Sequence, residues 1–460
     1  MTAAERFAQF ASGLTLDDIP AEVVEAAKLH VLDTLGCGLA AHTLGAGGEG
    51  RQAMSELGGE PQATVIGLGE RLPGASAAFA NAMLCHGLDF DDTHSESICH
   101  VSAVTTPASL AAGEAAGASG RDTLTAIIAA NEIVTRLGMA APSAFHARGF
   151  HPTAVCGVFG AAAAAARLAG MDAARTASAL GIAGSMAGGL FAYLEDGTPT
   201  KPIHPGWAAH GGILAARLSA LGAEGPPSII EGKFGLYHAF LAAGKGEIDI
   251  AAQVADLGER WETPRIAYKP YPACHFMHGA LGATAEAMAG LTPDDVEEIV
   301  VTVPSPGVSI VLEPADQKVA PRTEYEGKFS LPYSAAAMVV HGRVGNSTYT
   351  DEALADERVS ELARRVRYEV REYPSAFAGG AVIRTRDGRT VEAHHPHELG
   401  GPESPMSTAD VVAKFRDNAA AALGAEGIAA LEDAVLSLDE HDDLAAVLAP
   451  LAAVRAVATR

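Results

Sequence analysis

The chain is short of paired cysteines, of aromatic residues and of positive charge, and each shortage excludes something. Its five cysteines (Cys37, Cys85, Cys99, Cys156 and Cys274) are scattered and never spaced as C-x-x-C. That excludes a disulfide framework and an iron–sulfur cluster, and a reducing cytoplasm is the expected compartment. Lys and Arg number 32 against 56 Asp and Glu, a formal net charge of −24. The excess runs along the whole chain, which argues against nucleic acid and anionic membranes as partners. An anionic substrate is not excluded, because a local cationic pocket can exist on an acidic protein. The longest apolar run, Cys156 to Ala166, stops at Arg167 and is too short to span a bilayer. Met1 to Gln9 carries Glu5 and Arg6 in place of the apolar core of a signal peptide. There is no Walker A motif, no G-x-S-x-G, no H-E-x-x-H and no EF-hand loop. Gly45-Ala46-Gly47-Gly48-Glu49-Gly50 matches a dinucleotide-binding pattern, but it follows a helical stretch with no βαβ unit around it. It is read as a flexible loop.

What the chain has in quantity is Ala and Gly, which favour close helix–helix packing. At 460 residues two domains are expected. The first part reads as successive helices. One starts near Pro20 and is expected to weaken at Gly36 and Gly38. Pro107 is expected to open another, and Asp122 to cap a third. Ala154 to Leu168 and Trp207 to Leu221 are Ala-rich helices, and Thr64 to Leu68 is a short β-like run. The texture changes near Ile266. Val296 to Val303 is a β-branched run, and Arg364 to Val370 alternates like a half-buried strand. Asp387-Gly388 marks a hairpin between Ala381–Thr385 and Thr390–Ala393. Helices from His278 to Gly290 and Leu331 to Val340 accompany these strands. After the Gly/Pro-rich stretch Gly400 to Pro405, helices return, with Ser407 and Asp410 as a capping pair, and run to Arg460. The fold class is mainly α with an α+β second domain. Residues 1–265 and 403–460 form one helical domain from both chain ends, and 266–402 an inserted α+β domain.

The densest chemistry lies in His86-Gly87-Leu88-Asp89-Phe90-Asp91-Asp92-Thr93-His94, with His100 shortly after. Buried carboxylates and imidazoles need partners or cost several kcal/mol, about 2–7 for an unpaired polar group. A general acid/base site accounts for them. A hard cation held by Asp89, Asp91, Asp92 and His94 is an alternative, and a solvated helix end is the bland one. Arg148-Gly149-Phe150-His151-Pro152 puts His151 at a helix entrance, as catalyst or as cap. Lys201, in Thr200-Lys201-Pro202-Ile203-His204, can hold a carboxylate or sit on a surface turn. Lys269-Pro270-Tyr271-Pro272-Ala273-Cys274-His275-Phe276-Met277-His278 lies where the two textures meet, a preferred place for a pocket. Its His275 and His278 are also a possible metal pair.

Five stretches, HGLDFDDTH, RGFHPTAVCGVFGAA, TKPIHPGWAAHGG, KPYPACHFMHGA and GKFSLPYSAA, together resemble the MmgE/PrpD family. That family includes 2-methylcitrate dehydratases, cis-aconitate decarboxylases and iminodisuccinate epimerases. The resemblance implies a large helical domain built from both chain ends, an inserted α+β lid and a homodimer. It implies a site with Asp89, Thr93, His100, His151 and Lys201, and with His275 and Lys269 from the lid side. Three departures stand out. In the Lys-x-Tyr-Pro segment the family's polar residue shifts by one position among members, which leaves both His275 and His278 open as the lid-side residue. Family members often carry His-Pro-Ser where this chain has His100-Val101-Ser102. A tyrosine that the decarboxylases place between the last two motifs has no counterpart near Val311.

The family's reactions share carbanion character beside a carboxylate. They need cations around carboxylates and titratable groups at the reacting atoms. Asp89, His100, His151, Lys201 and His275 are the candidate catalytic residues. Lys201, Lys269 and Arg148 are candidate carboxylate binders, and Thr93 a hydrogen-bonding partner. The expected function is a cofactor-independent, metal-free hydro-lyase acting on a small hydroxylated di- or tricarboxylate such as 2-methylcitrate. An epimerase of an amino- or imino-dicarboxylate, a decarboxylase and an inactive scaffold are the alternatives.

Overall fold

The computed structural model describes residues 1–242 and 248–454. Six long helices, Ala21–Leu44, Gly74–His86, Ser102–Ala116, Gly120–Met139, Pro152–Leu168 and Ile203–Ala220, dominate the first half. Pro152–Leu168 is buried on every side from Pro152 to Ala166, which its run of Ala and Gly permits. Thr408–Ala419, Ala425–Leu436 and Leu444–Ala452 return to the same core, where Phe415, Leu431 and Leu448 join Phe7, Leu32 and Phe159. A second core, with Phe276, Ile299, Val301, Tyr333, Phe377 and Ile383, belongs to the intervening α+β part. Its sheet has the order Val366–Val370, Val296–Val303, Gly379–Thr385, Thr390–His395. The first pair is parallel and the other two are antiparallel. Among the described residues, no helix is long and apolar enough to cross a membrane.

Several local expectations need correction. The helix from Ala21 does not weaken at Gly36 or Gly38 but continues to Leu44. Both glycines are there for contact: a Cβ on Gly36 would lie 3.1 Å from Phe415 Cδ2, and one on Gly38 2.7 Å from Ile66 Cδ1. Pro107 sits inside a helix that begins at Ser102. The start is set from ten residues upstream, because Asp92 Oδ1 accepts the Ser102 N–H at 3.1 Å. Ser119 rather than Asp122 caps Gly120–Met139, accepting the Asp122 N–H. Thr64 to Leu68 forms no strand; one bridge joins Ala63 to Leu72. The glycine-rich stretch is a helix junction, with Gly45 ending one helix and Gly48 beginning the next. Val366–Val370 buries Val366 alone, so it is an edge strand rather than an alternating one. The hairpin and the Ser407–Asp410 capping box form as expected. The last helix ends at Ala452, and residues 455–460 of the expected helical tail lie outside the described residues.

Candidate active site

The site is built around the turn that follows Gly74–His86. Asp89 takes a left-handed backbone, φ 53°, which Asp tolerates better than most residues. Three buried lysines hold this turn by its successive carbonyls. Lys328 donates to Leu88 O at 3.0 Å, Lys269 to Asp89 O at 2.8 Å and Lys414 to Phe90 O at 2.8 Å. Lys269 reaches it because Thr93–His94 pairs antiparallel with Ile266–Ala267, which sets the lysine beside the aspartate.

From there a chain of polar contacts runs inward. Asp89 Oδ1 lies 2.6 Å from Lys269 Nζ, and Asp89 Oδ2 3.0 Å from Lys201 Nζ. Lys201 Nζ is 3.3 Å from His100 Nε2. His100 Nδ1 is 3.1 Å from Asp91 Oδ2, and the same oxygen is 2.8 Å from His86 Nδ1. These partners assign the tautomers. An ionised Asp91 accepts the Nδ1–H of both imidazoles, so the His100 Nε2 lone pair faces the Lys201 ammonium. The electrostatics agree. Burial opposes the charge on Asp89, but Lys201 and then Lys269 outweigh it and hold the carboxyl well below its usual range. Burial is outweighed in the same direction at Asp91, by His86 and His100. His100 is pushed down to about 3 by burial and then by Lys201, so it is neutral at pH 7.

This chain opens on a cavity lined by residues of both the helical and the α+β parts. The helical part supplies Asp89, Thr93, His100, His151 and Lys201 to its wall, and the α+β part Cys274, His275, Phe276, Phe329 and Phe377. Ile98, also on the wall, has φ 54°, an outlier for a β-branched residue and of the kind that collects at functional sites. Most of the remaining wall is apolar, and Lys201 is its one cation among the described residues. A single ammonium, poised between a carboxylate and an imidazole lone pair, can bind a carboxylate and pass a proton to carbon.

The sequence-predicted residues divide. Asp89, Thr93, His100, His151, Lys201 and His275 meet at the cavity. His151 stands at the entrance of Pro152–Leu168 but its side chain makes no capping hydrogen bond; its Nδ1 lies 3.1 Å from His204 Nδ1. His275 stacks on Phe377 at 4.3 Å between ring centroids. His278 turns away and donates Nε2–H to Ala273 O, so the two do not form a metal pair through that nitrogen. Lys269 is fully buried behind the cavity as a partner of Asp89, not as a free carboxylate binder. Arg148 is exposed and absent from the wall. The oxygen-rich metal set also comes apart. Asp92 Oδ2 faces His30 Nδ1 at 2.8 Å, and His94 Nε2 faces Glu262 at 3.2 Å, both away from the cavity. Sequence reasoning missed His146, Tyr193 and Ile310 on the wall, and the supporting role of Asp91 and His86. Tyr193 and Ile310 carry no local signal; His146 stands two residues before a motif that was noticed.

Comparison with known proteins matches the MmgE/PrpD N-terminal domain over residues 5–248 and the MmgE/PrpD C-terminal domain over residues 271–440. The second match takes in Phe415 and Leu431, whose side chains pack in the first core. A cis-aconitate decarboxylase of Homo sapiens is 30% identical over 461 aligned residues, covering 95% of this chain and 92% of its own. One from Aspergillus terreus is 28% identical, with 95% and 94% covered. A cis-aconitate decarboxylase-like protein of Aspergillus oryzae, oryM, is also 28% identical, with 94% and 93% covered. With both family domains matched in order along almost the whole chain, the protein belongs to the MmgE/PrpD family.

Proposed function

We propose that the protein is a lyase that decarboxylates a small unsaturated tricarboxylate of the cis-aconitate type without a cofactor. The observation that carries this reading is the two-sided cavity: one ammonium, Lys201, held between Asp89 and His100, faces a largely apolar wall. A carboxylate placed against the apolar wall is poorly solvated and gains by leaving as CO₂. Its bonding electrons pass into the neighbouring C=C and on towards a conjugated carboxylate. Lys201 balances that charge, and a proton from Lys201 or a neighbouring imidazole closes the far carbon. The C–C bond breaks, a C–H bond forms, and a terminal alkene remains. The named relatives, which cover nearly all of both chains, support the same choice over the dehydration first expected. Residues 266–402 close the cavity from the α+β side in this reading, and His275 and Phe377 shield the reacting atoms from water.

A second reading, a hydro-lyase acting on a 2-methylcitrate-like acid, is favoured by one feature. Near Val311, where the family resemblance leads one to expect a tyrosine in a decarboxylase, the wall residue is the apolar Ile310. Proton NMR in D₂O with cis-aconitate, citrate and 2-methylcitrate separates the two. Release of CO₂ with a new pair of terminal alkene protons from cis-aconitate is the expected result. A new alkene from a hydroxy acid without CO₂ would move the assignment to the hydro-lyase, and no reaction with any of the three would overturn both.

A further inference from the structure

His86, His100 and His151 converge in a way that the proposed chemistry, which needs His100 as the partner of Lys201, leaves unexplained. The rings of His86 and His100 are 4.6 Å apart between centroids, those of His86 and His151 5.7 Å, and those of His100 and His151 5.8 Å. One nitrogen from each lies within 4.8 Å of the others. His86 Nε2 and His151 Nε2 are buried and have no hydrogen-bond partner. Two lone-pair or N–H positions without partners, in residues 1% exposed, are unusual. The opposite nitrogens are held: His86 Nδ1 by Asp91 and His151 Nδ1 by His204. A carboxylate behind an imidazole, leaving Nε2 forward, is the arrangement that orients histidine on a metal ion.

We propose that His86 Nε2, His151 Nε2 and one ring nitrogen of His100 bind a divalent transition-metal ion of the borderline class, such as Zn²⁺, and that the bound ion shuts the site. Three imidazoles suit such an ion better than Mg²⁺ or Ca²⁺, which prefer oxygen. Zn–N bonds of about 2.0–2.1 Å place tetrahedral ligands roughly 3.4 Å apart, so the rings draw together on binding. The ion enters through the cavity, whose wall includes His100 and His151. His100 ligates only by giving up Asp91 at Nδ1 or Lys201 at Nε2, and either loss dismantles the chain described above. The blocking effect rests on the lyase reading; the binding does not.

The test uses Co²⁺ as a visible probe on the full-length, chelator-stripped protein. One Co²⁺ per chain, with the strong visible bands of a four- or five-coordinate nitrogen site bleached by Zn²⁺, is expected. His86→Gln and His151→Gln each abolish the bands, Asp91→Asn weakens binding by about tenfold or more, and the more exposed His341→Gln leaves it unchanged. Turnover falls in step with occupancy and returns with chelator. Absence of the bands in the wild-type protein, or their persistence in both histidine variants, overturns the site. Bands without turnover on any substrate would remove the lyase reading and leave the site standing.

Discussion

Two buried lysine–aspartate pairs flank the same turn and do different work. Lys201 lies 3.0 Å from Asp89, and Lys414 lies 2.8 Å from Asp33. The lysines are 5% and 8% exposed, so burial does not separate them. Their other contacts do. Lys414 spends its remaining donors on Phe90 O and lies 4.0 Å from the Phe90 ring centroid, inside packed protein. Lys201 meets the His100 lone pair and a cavity. The partners differ too: Asp89 has a second lysine, Lys269, whereas among the described residues Lys414 is the one lysine paired with Asp33. A buried charge pair marks a reactive site only when one member still faces empty space.

That contrast is broken or sharpened by five changes. The largest effect is expected from Lys201→Met, which should lower kcat/KM by about 10²–10⁴-fold on the confirmed substrate. The fold should persist, because Lys269 still balances Asp89. Next is Lys414→Met, which strands Asp33 and should cost about 3–5 kcal/mol in chemical denaturation, while the folded fraction keeps its turnover. Asp91→Asn disturbs the His100 tautomer and should lower kcat by roughly 10–10²-fold, with little change in KM.

A smaller effect comes from pH. His100, His151 and His94 are neutral in the fold, with His100 at about 3 and His94 at about 4, against 6.5 for an unperturbed histidine. Below about pH 6.5 the unfolded chain therefore binds more protons than the folded one. Tm should fall as pH drops from 7 to 5, and the slope should be shallower in His151→Gln; a Tm that rose over that window would contradict the assignment. The smallest effect is reserved for Arg148→Ala. Exposed and off the wall, it should change stability by less than about 0.5 kcal/mol and leave kcat/KM unaltered.

Much of this was legible in the sequence because the chemistry is concentrated in short motifs. Asp89, Thr93, His100, His151, Lys201 and His275 each stand in or beside one of them, and the β-branched run Val296–Val303 announced the sheet of the α+β part. What was not legible depended on partners far along the chain. Asp92 and Asp89 are neighbours of one type, and nothing local says that one caps Ser102 while the other faces Lys201. The three lysines on Leu88 O, Asp89 O and Phe90 O come from three separated segments. Arg148 illustrates the reverse error: a cation near a motif invites a binding role that its exposure denies.

The most direct test sets Lys201→Met against Lys414→Met in one assay of turnover per folded molecule, with the folded fraction read from denaturation. The account predicts a folded but inactive Lys201→Met and a weakened Lys414→Met that is active wherever it is folded. An active Lys201→Met, or a fully folded Lys414→Met without turnover, would contradict it.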